Sequence, residues 1–155
     1  MTPIPLDELL PHRPPMVLID EVESFDAEMK RLVARVTIGE NQLFFDGQGV
    51  PNWVAIEYMA QTAAALVGHL DRHLAPGQPV RPGLLLGTRK LELKLARFEA
   101  GKTYRIVTEN VFGDSDAASF ACSIEDETGA TVATANLNAY RPSDMEKFLK
   151  EQVKE

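Results

Sequence analysis

The segment from Trp53 to Leu74 is the part of the sequence that most constrains the fold. It contains no proline and its apolar residues recur at helical spacing, which predicts one helix of about 33 Å at 1.5 Å per residue. Asn52 is its expected N-cap and Pro76-Gly77 its expected stop. Small residues crowd its middle: Ala60, Ala63, Ala64, Ala65 and Gly68. Because small residues let other backbone approach closely, we expect this helix to be buried and wrapped by a sheet.

The residues around this helix read as strands. Two early strands are predicted at Met16–Phe25 and Arg31–Thr37, after a short helix at Leu6–Leu10. Four later strands are separated by glycine-containing turns: Leu84–Phe98, Thr103–Phe112, Ala117–Asp126 and Thr131–Tyr140. Consecutive strands with short turns must be antiparallel. Without repeats or a linker, residues 1–155 are predicted to form a single α+β domain, an antiparallel sheet wrapped around one long central helix.

Charge and composition exclude several classes of protein. A net charge of −7 argues against nucleic acid as the partner, because phosphate contacts depend on clusters of Lys and Arg. The apolar stretches fall far short of the ~20 residues of a membrane span. A single cysteine, Cys122, and a start rich in acidic residues and proline predict a reduced, cytoplasmic protein. Cys122 lies in an alternating strand and is interpreted as a packing residue.

One segment runs against the overall acidity. Between Arg89 and Arg105, six basic residues stand against two acidic ones, which gives a local net charge of +4. The basic residues are Arg89, Lys90, Lys94, Arg97, Lys102 and Arg105. The segment is either a solvated strand face or a docking surface for an acidic partner.

Three stretches resemble a known family. Leu10–Val22 (LPHRPPMVLIDEV) resembles the "LPHR.P.LLVDRV" opening of the FabZ-like 3-hydroxyacyl-acyl-carrier-protein dehydratases. Phe44–Gly47 resembles their "FF.G", and Pro51–Gln61 resembles "PG.L..E.MAQ" at the start of their central helix. The resemblance covers nearly the whole chain. It implies a hot-dog fold, a dimer with joined sheets, and a substrate carried on the phosphopantetheine of an acyl carrier protein. The sequence has no metal-binding cluster, P-loop or dinucleotide fingerprint, so no other cofactor and no metal are expected.

The chain departs from the family at one functional position. The family has its catalytic histidine directly after "FF.G", whereas this chain has Gln48, and only three residues separate Gly47 from Pro51. The sequence is more similar to a divergent branch, the dehydratase-like proteins found with aryl polyene pathways, in its "HR.PM...D.V" and "..P.W..IEYMAQ" pieces. The resemblance therefore implies dehydration of 3-hydroxyacyl thioesters without the usual loop base.

Dehydration needs a base, an acid and donors that stabilise the thioester oxygen. Glu57 stands at the family's acid position, in an apolar helix turn where desolvation would favour the protonated form. His69 lies 12 residues further on, or ~18 Å along the helix, and His73 is farther. That leaves His12 as the candidate base within a subunit, unless a dimer partner supplies one. Alternatively, His12 is a structural histidine that holds the extended Arg13-Pro14-Pro15 segment.

The remaining candidates would position the substrate or its carrier. Asn52 replaces a family glycine at the helix entrance, where the N–H of Trp53 or Val54 could stabilise an oxyanion. Gln48 could orient the substrate or a water. Gln61, at i+4 from Glu57, could bond that carboxylate or the neighbouring subunit, and the second is preferred. The candidate carrier-docking residues are Arg89, Lys90, Lys94 and Arg97.

Two rival functions remain open from the sequence. A hot-dog thioesterase could use Glu57 as base or nucleophile with Gln48 orienting the carbonyl. A non-catalytic hot-dog subunit could form a mixed dimer with an active dehydratase, since loss of the loop histidine suits such a role. The oligomer is accordingly predicted to be a homodimer or a heterodimer with another hot-dog subunit.

Overall fold

The computed structural model describes residues 4–74, 84–113 and 117–140, which contain a short helix, a long helix, a 3-10 turn and eight strands. The helices are α1 (Leu6–Leu9) and α2 (Ala55–Leu74), and a 3-10 turn (Asn52–Val54) leads into α2. The strands are β1 (Glu21–Asp26), β2 (Arg31–Thr37), β3 (Gly49–Pro51), β4 (Leu84–Leu93), β5 (Arg97–Glu99), β6 (Thr103–Gly113), β7 (Ala117–Glu125) and β8 (Thr131–Tyr140).

Six of the strands form one antiparallel sheet in the order β1-β2-β6-β7-β8-β4. The short strands β3 and β5 pair separately with each other. The helix α2 packs on one face of the large sheet, mainly against β6 and β2. This confirms the predicted α+β architecture. No helix in the described ranges is long and apolar enough to cross a lipid bilayer.

The core lies between α2 and the inward face of the sheet. Alternate strand residues are buried there, as period-2 geometry requires: Leu32, Ala34, Val36, Tyr104, Ile106, Phe120, Ile124 and Leu137. The helix contributes Tyr58, Met59 and Leu66. Burying a large apolar side chain contributes roughly 1.5–3 kcal/mol. Cys122 belongs to this core, and burial raises the pKa of its thiol to about 11, which agrees with a packing role.

The predicted strand Met16–Phe25 is too long at its start. The ladder with β2 begins only where the Asp20 N–H donates to the carbonyl of Arg35, at 2.9 Å. Before that point, the backbone at Met16 and Leu18 bonds to a glutamine side chain of α2. Because the Met16 carbonyl and the Leu18 N–H bond to a helix side chain instead of a strand, residues 16–19 form an extended strap and not a strand.

The predicted strand Leu84–Phe98 is two strands, because the chain changes partner in its middle. Up to Leu93 it pairs with β8, and from Arg97 it pairs with β3. Between the two, the Leu95 carbonyl accepts a hydrogen bond from the Asn52 side chain, at 3.0 Å. The other three late strands agree with the prediction to within one residue.

Gly68 of α2 provides the close approach that its small residues predicted. A Cβ built there would lie 2.4 Å from the carbonyl oxygen of Leu9 in α1. We expect Gly68→Ala to lower the free energy of unfolding by roughly 1–3 kcal/mol, the usual cost of overpacking. Gly87→Ala is the matched control, because a Cβ at Gly87 meets nothing within 4 Å. Denaturant unfolding of both variants checks this, and equal stabilities would contradict the tight contact.

Candidate active site

Glu57 lies in the first turn of α2, half-buried, beside the buried side chains of Tyr58 and Met59. Its Oε1 accepts a hydrogen bond from Nε2 of Gln61 one turn later, at 3.3 Å. The carboxylate therefore combines partial access from outside with an orientation fixed from within. This is the arrangement that an acid acting on a bound substrate needs.

Gln61 is fully buried, and both ends of its amide are bonded within this chain. Its Oε1 accepts the Leu18 N–H at 2.8 Å, and its Nε2 donates to the Met16 carbonyl at 2.6 Å as well as to Glu57. The preferred prediction, a bond to a neighbouring subunit, is wrong, since the side chain has no exposed surface. For the same reason Gln61 does not bind substrate directly. It supports Glu57 and ties the strap of residues 16–19 to the helix.

A second buried glutamine, Gln42, extends this support. Its Nε2 donates to the Leu18 carbonyl at 3.2 Å, and its Oε1 accepts from the Tyr58 hydroxyl at 2.9 Å. Burial raises the pKa of Tyr58 well above its ordinary value, so the hydroxyl remains a donor. Sequence reasoning missed both residues. The available signal was the polar Tyr58 in an otherwise apolar helix turn, whereas Gln42 lies outside the recognised motifs.

His12 lies half-buried in the segment before the strap. Its Nδ1 is buried without a hydrogen-bond partner, and no hydrogen bond joins the imidazole to Glu57 within the described ranges. The Arg13 guanidinium holds the local backbone by donating to the carbonyls of Leu10, at 3.1 Å, and His12, at 2.8 Å. His69 instead stacks on Phe25, with ring centroids 4.4 Å apart. The two histidines therefore serve different parts of the molecule.

The entrance of α2 differs from the prediction. Asn52 does not cap the helix; it begins the 3-10 turn, and its Nδ2 donates to the carbonyl of Leu95. Among the described residues, only Lys30 and Lys90 have a positive φ outside glycine, so Asn52 does not need glycine-like angles. Trp53 is 55% exposed and contacts Phe44 edge to face, whereas the Val54 side chain is buried. The N–H groups of this turn lie where a helix start can bind an anion.

Gln48 lies on the surface in the turn before β3. Its side-chain Oε1 accepts a hydrogen bond from Arg97, and its backbone N–H donates to Asp46 Oδ1 at 2.9 Å. The structure does not join Gln48 to Glu57 by any described hydrogen bond. The described contacts of Gln48 are thus with Asp46 and Arg97.

The basic segment divides into paired and exposed cations. Arg97 pairs with Asp46 at 3.3 Å, Lys102 pairs with Glu99, and Arg105 pairs with Glu23. The other three, Arg89, Lys90 and Lys94, are exposed and have no acidic partner within ion-pair distance in the described ranges. No group of three or more His, Cys, Asp or Glu side chains in those ranges is placed to hold a metal ion.

A six-stranded antiparallel sheet packed on one long helix, with an acid in the helix's first turn, defines a hot-dog protein. The family described as ApeP-like, ApeP dehydratase, matches residues 4–150, and the chain belongs to that dehydratase family. It is similar to the 3-hydroxyacyl-[acyl-carrier-protein] dehydratase FabZ of Chlamydia trachomatis, at 31% identity over 118 residues, covering 64% of this chain and 76% of the relative. The expected family is thereby confirmed.

Solved structures agree on the fold. The dehydratase heterocomplex ApeI:P from Xenorhabdus doucetiae contains a chain that matches with a TM-score of 0.85 and 27% identity, covering 98% of this chain and 99% of that one. A hypothetical thioesterase from Streptococcus pneumoniae, solved with coenzyme A, matches with a TM-score of 0.59 and 15% identity, covering 79% and 84%. The second likeness shows the fold alone. The first shows a relative that assembles with another dehydratase chain.

Proposed function

We propose that this chain removes water from 3-hydroxyacyl thioesters carried on an acyl carrier protein. The observation that carries the proposal is Glu57, held in the first turn of α2 by the buried amide of Gln61 and still partly accessible. Membership of a dehydratase family and the likeness to FabZ support the reaction and the substrate class. In this reaction a base takes the carbon-bound proton, and an acid protonates the hydroxyl, which leaves as water.

The roles follow from position. Glu57 would donate the proton to the departing hydroxyl. The N–H groups of Trp53 and Val54 at the helix start would bind the thioester oxygen as charge develops on it. His12 would take the carbon-bound proton. Its assignment is supported by its partial exposure and by its place just before the strap, whose Met16 carbonyl bonds to Gln61.

The protein would work as a pair of hot-dog subunits. Strand β4 lies at one end of the sheet order, and within the described ranges nothing pairs with its outer edge. Such an edge readily accepts a strand from a second subunit. A homodimer or a mixed dimer would satisfy it, and the heterocomplex of the relative supports the mixed form.

A cytoplasmic location forms part of the proposal, because the one cysteine is free and buried.

The carrier would dock on the exposed cations Arg89, Lys90 and Lys94. The net charge of the whole chain is −7, so an acidic carrier is attracted only by such a local patch. Attraction of this kind weakens as salt concentration rises.

Dehydration and thioester hydrolysis can be separated with two substrates. With 3-hydroxyacyl carrier protein, we expect enoyl thioester to form, detected by ultraviolet absorbance. With a saturated acyl carrier protein, we expect no release of free thiol above the rate without enzyme. The chain is assayed alone and together with a partner hot-dog subunit. Rapid thiol release would support a thioesterase instead, and enoyl formation that needs the partner but not Glu57 would support a non-catalytic subunit.

A further inference from the structure

We propose that Arg97 is a positioning residue that holds the turn leading into α2, and not a carrier-docking cation. The inference rests on the proposed function, since the group that it positions is the entrance of the helix that carries Glu57. It corrects the grouping of Arg97 with Arg89, Lys90 and Lys94, because the Arg97 guanidinium is already occupied within the chain.

The turn in question runs from Asp46 to Gly49. The Oδ1 of Asp46 accepts the N–H groups of Gln48, at 2.9 Å, and Gly49, at 3.0 Å, and the Asp46 N–H donates to the Gly49 carbonyl at 2.9 Å. The hydrogen bond from the Gln48 N–H is the largest cause that holds the pKa of Asp46 below its ordinary value. The Gly49 N–H and the Arg97 charge act in the same direction. Gly47 adopts a φ of +97°, which favours glycine. The carboxylate thus organises the whole turn.

Arg97 closes this turn from the outside. It lies in β5, opposite Pro51 of β3, and its side chain reaches back along the pair of strands. One terminal nitrogen bonds Gln48 Oε1, and the other lies 3.3 Å from Asp46 Oδ2. A planar guanidinium can bond two acceptors at once, which an ammonium does less well. A single residue therefore links the organising carboxylate and the amide two residues later.

Further contacts join the residues that flank β3 and β5. The Ala100 N–H donates to the Gln48 carbonyl at 3.0 Å, and the Asn52 side chain donates to the Leu95 carbonyl. A Cβ at Gly49 would lie 2.0 Å from the Phe98 carbonyl oxygen, so the backbones touch there. Residues 48–51 run directly into the 3-10 turn that precedes α2. A shift of this segment would therefore move the N–H groups of that turn and, with them, Glu57 in the first turn of α2.

Stability alone would not show this role. Arg97 and Asp46 are more than one-third exposed, and exposed ion pairs contribute little to stability. Catalysis is more sensitive, because a displacement of about 1 Å can reduce a rate by roughly 100-fold. The effect of losing Arg97 should therefore appear in kcat more than in Tm.

The experiment compares Arg97→Gln with Lys94→Gln, which removes the same charge from an exposed residue of the same segment. Each variant is assayed with a carrier-bound substrate and with a short pantetheine thioester. We expect Arg97→Gln to lower kcat roughly 10- to 100-fold with both substrates. Lys94→Gln should raise KM for the carrier-bound substrate only. If Arg97→Gln instead changes only KM for the carrier, it is a docking residue and the proposal is wrong.

A second measurement does not depend on activity. Hydrogen exchange of the Gln48, Gly49 and Ala100 amides should become roughly tenfold faster in Arg97→Gln and stay unchanged in Lys94→Gln. Arg97→Lys should restore part of the protection. Asp46→Ala should resemble Arg97→Gln, and the double variant should add little, because both residues act through one turn. Unchanged hydrogen exchange in Arg97→Gln would overturn the inference. Faster exchange would support it, even if the protein proved to have no dehydratase activity.

Discussion

Glu57→Gln should reduce the dehydration rate by roughly 10²–10⁴-fold, the usual contribution of a positioned acid or base. Glutamine has nearly the same shape, and its carbonyl oxygen can still accept the hydrogen bond from Gln61. It has no acidic proton to donate to the departing hydroxyl. We therefore expect kcat to fall while the thermal unfolding temperature remains close to that of the parent protein.

Glu28→Gln is the control for this experiment. Glu28 is exposed in the turn between β1 and β2, and its substitution removes the same charge from the surface. It should leave turnover unchanged. A Glu57→Gln variant within threefold of the parent rate would show that Glu57 is not the acid, and a matching loss in Glu28→Gln would show that overall charge is responsible.

His12→Ala should also cost roughly 10²–10⁴-fold in kcat if the imidazole takes the carbon-bound proton. Because the buried Nδ1 makes no hydrogen bond, its removal breaks none and leaves no other protein group unpaired. A catalytic role accordingly predicts lost turnover with a nearly unchanged Tm.

His73→Ala is the matched control, because His73 is exposed in the last turn of α2. We expect it to behave as the parent protein does. A loss of less than about tenfold in His12→Ala, with a lowered Tm, would identify His12 as a structural histidine. In that case the base would come from the partner subunit or from Glu57 itself.

The sequence was sufficient to predict those parts of the fold that depend on regular patterns. The apolar periodicity of α2 and the alternation in β8 are local, so both elements could be predicted. Strand β8 has the expected bounds, whereas α2 begins at Ala55 after a 3-10 turn. The expected stop at Pro76-Gly77 lies outside the described residues. The errors occurred where a side chain replaced a backbone partner. Gln61 satisfies the strap that otherwise reads as a strand, and Asn52 bonds Leu95 where the chain changes sheets. Such contacts join residues more than 40 positions apart and leave no local pattern.

The candidate site was predictable to a similar extent. The motif made Glu57 the candidate acid, and the i+4 spacing offered the contact with Gln61 only as the alternative that was not preferred. The support from Gln42 and the closure of the turn by Arg97 could not be foreseen, because each depends on where a distant segment folds back. The charge pattern around Arg97 indicated a docking surface, whereas the fold places Asp46 beside that side chain.

The contact between the strap and Gln61 uses only main-chain atoms of the strap, the Met16 carbonyl and the Leu18 N–H. The strap is fixed by the buried side chains of Leu18 and Ile19, and the hydrogen bonds to Gln61 involve no strap side chain. Met16 itself is 43% exposed. Its side chain can consequently diverge among relatives, and with it the surface that the strap presents, while the acid on α2 keeps the same orientation.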